Sequence, residues 1–136
     1  IGGSSGALFG TLFMTMAKVS NIDDGIDYKK AINMFVDGVE AVKQRGKADV
    51  GEKTMMDVLI PVANCLKEGV EKDIDLKDLM METIETAEKG MLSTKNLLAT
   101  KGRASFLGER SKGHIDPGAR SSQLMIKTVC MSILNT

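Results

Sequence analysis

Three short polar stretches carry the groups that could hold an anion. "GGSSG" at residues 2–6 sets Ser4 and Ser5 among glycines, just ahead of an apolar helical pattern. Glycine lets a backbone approach a ligand closely, serine hydroxyls donate to phosphate oxygens, and a helix N-terminus adds free N–H groups. A flexible linker or a plain helix cap would have the same composition. "RGKADVGEKTM" at residues 45–55 places Lys53 beside Thr54 at a helix start, which again suits phosphate. A capped helix carrying a solvated lysine is the plainer reading of those residues. The stretch is not the G-x-x-x-x-G-K-[ST] phosphate loop, since Gly46 is followed by Gly51, Glu52 and Lys53. The third stretch, "GRASFLGERSKGHIDPGA" at residues 102–119, has no hydrophobic periodicity. Loops of that length inside a compact domain are uncommon, and when ordered they usually have a function. Arg103 and Arg110 suit bidentate pairing with phosphate or carboxylate. Asp116, Pro117 and Gly118 read as a turn leading into a helix, and His114 reads as a hydrogen-bonded loop residue rather than a base. No set of His, Cys or acidic residues has metal-ligand spacing, and no Ser-His-Asp arrangement is legible.

Helices must position these stretches. Residues 7–19 recur at helical spacing through Leu8, Leu12, Phe13 and Met16. Residues 28–45 form an amphipathic helix with Ala31, Ile32, Phe35, Val36, Val39 and Val42 on one face. A third helix is predicted at 54–67, kinked by Pro61, and a fourth at 76–98 behind an Asp75 cap. The last, 120–134, reads through Leu124, Thr128 and Val129. The ten methionines read as core filler. No stretch alternates with period two, so the fold class is all-α, an antiparallel up-down bundle with about five helices. In such a bundle alternate helices start at one end. The three polar stretches each precede a helix, two elements apart, so three helix N-termini surround one mouth suited to nucleotide phosphate.

Composition narrows the alternatives. At 136 residues the chain is one domain, 1–136, with 43% hydrophobic and 26% charged residues. The 18 basic and 18 acidic residues balance, which gives no support to nucleic-acid contact. No apolar run approaches the roughly 20 residues of a membrane span, and no signal peptide is visible. Cys65 and Cys130 fall on apolar helical stretches, as free thiols do in a reducing cytoplasm.

"GGSSGALFG", "RGKADVGEKTMMDVLIPV" and the 102–119 stretch together resemble the nucleotide-binding L subunit of bacterial dihydroxyacetone kinase, over nearly the whole chain. The resemblance implies a barrel of eight antiparallel amphipathic helices, about five of them in this chain, with ADP or ATP at one rim. It implies that Ser4, Ser5 and Arg103 approach the phosphates and that Gly46, Thr54 and Met55 help form the pocket. Asp116, Pro117 and Gly118 would line it. It implies two partners, a K subunit holding dihydroxyacetone and an M subunit acting as phosphocarrier. The family's loop reads "GDKTM" where this chain has Glu52. The family's Asp-rich magnesium motif has no match here; "IDDGID" at 22–27 lies downstream of the serine loop. The expectation is therefore a C-terminal part of a longer subunit, with no metal ligand in this chain, magnesium held by residues outside it, and no activity as an isolated piece. The implied function is a relay of a phosphoryl group from the phosphocarrier through bound ADP/ATP to dihydroxyacetone. The alternatives are an ATP-dependent dihydroxyacetone kinase domain, and a non-catalytic helical binding module.

Overall fold

The computed structural model describes residues 28–100 and 103–135, with side chains from 106 onward in the second stretch. Within them four α-helices follow one another: α1 (Tyr28–Gly46), α2 (Met56–Glu71), α3 (Leu76–Ser93) and α4 (Pro117–Leu134). Short 3₁₀ segments at Thr94–Asn96 and Arg103–Ser111 lie between α3 and α4. The described residues contain no strand, in keeping with the all-α reading. The helix expected at 7–19 and the turn at 22–27 lie outside the described residues.

Contacts between helix ends fix the up-down order. The ion pair Lys29–Asp73 (2.6 Å) joins the start of α1 to the end of α2. Gly69, late in α2, faces Leu79, early in α3, while Gly90, late in α3, faces Asp57 and Val58, early in α2. The Thr94 hydroxyl, just past α3, accepts from the Asp116 N–H (3.0 Å), just before α4. Each helix packs on its chain neighbour, and α2 also reaches α4. That central place explains why α2 is buried nearly all round, through Met56, Val58, Leu59, Val62, Ala63 and Leu66. The α1 face is as the spacing predicts, with Ala31, Ile32, Phe35 and Val39 buried.

Several boundaries and faces depart from the sequence reading. Helix α2 starts at Met56 rather than 54 and runs to Glu71 rather than 67. Pro61 lies inside it, and tertiary burial keeps the helix going past the lost donor. Asp73 (φ 55) then closes it, with Ile74 N–H bonding the Gly69 carbonyl (2.9 Å) and Asp73 N–H the Val70 carbonyl (3.2 Å). This is a Schellman closure with Asp in the usual glycine place. Helix α3 stops at Ser93, not 98, because the Ser93 and Thr94 hydroxyls bond back to the Gly90 and Met91 carbonyls (2.7 and 2.8 Å). Helix α4 starts at Pro117, three residues early, and Asp116 caps it by accepting from the Ala119 N–H (2.9 Å). Its buried face is Ala119, Ile126, Val129, Cys130 and Ile133. Leu124 is 51% exposed, and Thr128 is exposed and bonds back to the Leu124 carbonyl (2.8 Å), so of the three predicted positions only Val129 faces the core. Met56, Met80 and Met91 fill the core as expected, while Met34, Met81 and Met131 are exposed on outer helix faces. Cys65 and Cys130 are free thiols; burial, with Cys65 nearby, pushes the Cys130 thiol up to about 12, where it is inert at neutral pH.

Candidate functional site

The end of α1 and the start of α2 meet around an open pocket of about 340 Å³. Val42, Arg45 and Gly46 line it from α1, Ala48 from the connection, and Thr54, Met55 and Met56 from the start of α2. Mostly apolar walls with a few polar groups are the usual character of a site for a planar organic ligand. The α4 N-terminus lies beside it. A Cβ placed on Gly118 would stand 3.5 Å from the Met55 Cβ and 3.7 Å from the Met55 nitrogen, ordinary packing distances, so the two segments lie side by side. Of the sequence-derived residues, Gly46, Thr54 and Met55 share the pocket, and the Asp116–Pro117–Gly118 turn abuts Met55. Two of the three expected helix N-termini thus sit at one end. Ser4, Ser5 and the Arg103 side chain lie outside the described residues; the backbone of Arg103 opens the second 3₁₀ segment.

The 45–55 connection is held by an acid that was not among the sequence-derived site residues. Asp57 is 3% exposed, and its carboxylate accepts from the Gly51 N–H (2.6 Å) and the Thr54 N–H (2.9 Å). The Thr54 hydroxyl accepts from the Met56 N–H (3.0 Å). The signal in the sequence was Thr54-x-x-Asp57, a capping-box spacing. Lys53 corrects both sequence readings. It is not solvated, and its ammonium is engaged by backbone carbonyls: it is 5% exposed, holds a left-handed backbone (φ 62), and donates to the Thr94 and His114 carbonyls. No spacing rule foretells a positive φ at lysine.

The 102–119 stretch is less irregular than its composition suggests. Residues Arg103–Ser111 form 3₁₀ turns broken at Gly108, whose φ of 56 a side chain would resist. The Ser111 hydroxyl accepts from the Ala99 N–H (3.0 Å), and Gly113 N–H bonds the Lys95 carbonyl (2.6 Å). Arg110 and His114 are exposed. Burial raises the Asp116 carboxyl above its ordinary value of 3.8, opposed by the Ala119 N–H and by the Lys53 charge. The folded state therefore holds this proton more tightly than the unfolded chain, and stability falls as pH rises through that range. Asp116→Asn keeps a capping oxygen and removes the ionisation. Its melting temperature should gain on the wild type as pH rises from 3.8 to neutrality; parallel melting curves across that range would contradict this. The depressed Asp73 carboxyl, held down by the Lys29 hydrogen bond, acts in the opposite sense in both proteins and cancels.

Among the described residues no three acidic, histidine or cysteine side chains cluster as a metal site requires. The Asp57 and Asp116 carboxylates already accept backbone N–H groups. The described residues do not fit a magnesium ion. No described helix is long and apolar enough to cross a membrane.

A family model for the DAK2 domain matches residues 1–131. The chain belongs to the DAK2 domain family. This DAK2 domain is 39% identical over 132 residues to the ADP-binding subunit DhaL of PEP-dependent dihydroxyacetone kinase from Escherichia coli, covering 97% of this chain and 63% of that one. It is 45% identical to the corresponding subunit of kinase 1 from Listeria innocua, covering 92% and 57%. With the PTS-dependent kinase subunit of Lactococcus lactis the identity is 42%, covering 95% and 59%. The chain spans about three fifths of the length of these relatives.

Proposed function

We propose that the intact protein binds ADP/ATP at the rim formed by the starts of α2 and α4, and relays a phosphoryl group from a phosphocarrier M subunit to dihydroxyacetone on a K subunit. The observation that carries this reading is the meeting of an apolar pocket with two helix N-termini, beside the Asp116–Gly118 turn. The pocket around Gly46, Thr54 and Met55 takes the apolar part of the nucleotide. The phosphates lie toward the α4 N-terminus beside Asp116, Pro117 and Gly118, and Ser4, Ser5 and Arg103 are the further phosphate-binding residues of this reading. The bound nucleotide supplies the transferable phosphoryl group, and the chain's residues orient it and exclude water. Magnesium, if required, is bound by residues other than those described. The protein works in the cytoplasm, where its two thiols stay reduced.

An ATP-dependent kinase domain is the second reading, since a probable dihydroxyacetone kinase of Dictyostelium discoideum also matches, at 34% identity, though this chain covers only 22% of it. The higher identities to stand-alone ADP-binding subunits favour the relay. A retained cofactor has a slow off-rate, whereas a kinase must release ADP each turnover. The intact protein is loaded with labelled ADP and given K subunit, dihydroxyacetone and phosphorylated carrier. Product should form while the label stays bound. Product only with free ATP, or label lost each cycle, points to the kinase; no nucleotide binding at all points to a non-catalytic module.

A further inference from the structure

Lys53 is the one buried basic side chain among the described residues. A buried ammonium is costly unless well paired, and an apolar side chain of its size would serve packing better. Its backbone also holds a conformation that non-glycine residues seldom adopt. What it gains is reach: from the loop before α2, its ammonium bonds the Thr94 carbonyl at the end of α3 and the His114 carbonyl in the approach to α4. The Thr94 hydroxyl in turn accepts the Asp116 N–H. Asp116 caps α4, and Gly118 then lies against Met55, two residues along the chain from Lys53. The bonds tie together the loop before α2, the end of α3 and the start of α4, the last of which abuts the Met55 wall of the pocket, and Lys53 is the member that joins all three segments. It also places positive charge near the Asp116 carboxylate, which feels the Asp57 carboxylate as well.

We propose that Lys53 is a positioning residue for nucleotide: its ammonium fixes the His114–Gly118 approach to α4 against the Met55 wall and offsets the carboxylates and helix-end carbonyls that would repel phosphate. It does not touch the ligand. The inference rests on the nucleotide reading of the rim. In the intact protein, Lys53→Met removes charge and donors, Lys53→Arg keeps both, and each is compared with wild type by calorimetry with ADP and with adenosine, well below its melting temperature. A purely structural lysine changes the melting temperature and leaves the affinity of the folded molecules alone. A positioning lysine should make Lys53→Met weaken ADP binding by about tenfold or more, adenosine binding less, and Lys53→Arg recover most of the loss. Wild-type affinity in folded Lys53→Met overturns the proposal while leaving the nucleotide site standing; absence of ADP binding in the wild type sinks the nucleotide reading itself. Should Lys53→Met not fold, Lys53→Gln, which keeps a donor without the charge, is measured the same way. If that also fails to fold, exchange of the Asp116 amide in wild type decides: slowed by ADP supports the proposal, unchanged overturns it.

Discussion

Gly90→Ala should destabilise the protein by about 2–4 kcal/mol, although helix propensity alone would have it stabilise by roughly 0.5–1 kcal/mol. The sign separates the two effects. A Cβ on Gly90 would run into the Asp57 carbonyl oxygen and lie 3.2 Å from the Val58 Cα. Both are backbone atoms of α2, so neither can swing aside as a side chain would. The same carbonyl is the one for which Pro61, four residues on, has no N–H to offer. Close approach of α3 therefore occurs where α2 already lacks a ladder bond. Gly69→Ala is the control: its Cβ would meet only the methyl and branch carbons of Leu79, the far end of a side chain, and should cost less. Urea midpoints of the two variants test this; a Gly90→Ala protein as stable as wild type would mean that α2 and α3 do not pack as described.

Asp57→Ala should be the most damaging single change near the rim. It strips the acceptors from the Gly51 and Thr54 N–H groups in one step. Gly51 is exposed and Thr54 half-buried, so water partly replaces the lost acceptor. Two hydrogen bonds to a charged group, at about 1.5–3 kcal/mol each, set the upper bound. A loss of roughly 2–4 kcal/mol is expected against a total stability of about 5–15. The effect should extend to ligand binding, because the freed segment carries Thr54 and Met55 of the pocket wall. Asp57→Asn keeps one acceptor but turns an amide N–H₂ toward a backbone N–H, and should fall between. Thermal melts and ADP calorimetry on the two variants check the order. Unchanged ADP affinity in a folded Asp57→Ala protein would detach this loop from the site.

Much of this was legible in the chain because the relevant signals are local. The α1 stripe from Ala31 to Val39 repeats with the helix period, and Asp75 caps α3, accepting from Lys77 N–H at 3.2 Å. The convergence of "GEKT" and "DPGA" on one end followed from counting helices. What escaped depends on partners distant in sequence. The face of α4 was read correctly at Val129 but not at Leu124 and Thr128, which have helical spacing yet face away from the core that Ala119, Ile126, Cys130 and Ile133 meet. The inward turn of Lys53 is set by carbonyls 41 and 61 residues away, which no window of sequence contains. Asp57 was readable through its spacing from Thr54, yet an acid in a helix's first turn is so common that the pattern does not reveal burial.

In the proposed function the nucleotide belongs at one end of the bundle, the starts of α2 and α4, and not at the other. A second groove, about 370 Å³, lies between α2 and α3 toward the other end, lined by Asn64, Cys65, Glu68, Lys72, Glu82 and Thr86 among others. Amide NMR spectra of the intact protein titrated with ADP distinguish the two directly. The resonances of Gly46, Thr54, Met55 and Gly118 should move together and saturate at one affinity, while those of Glu68, Lys72 and Thr86 stay still. Shifts confined to Glu68, Lys72 and Thr86, or no saturable shift at either end, would contradict a nucleotide site at the starts of α2 and α4.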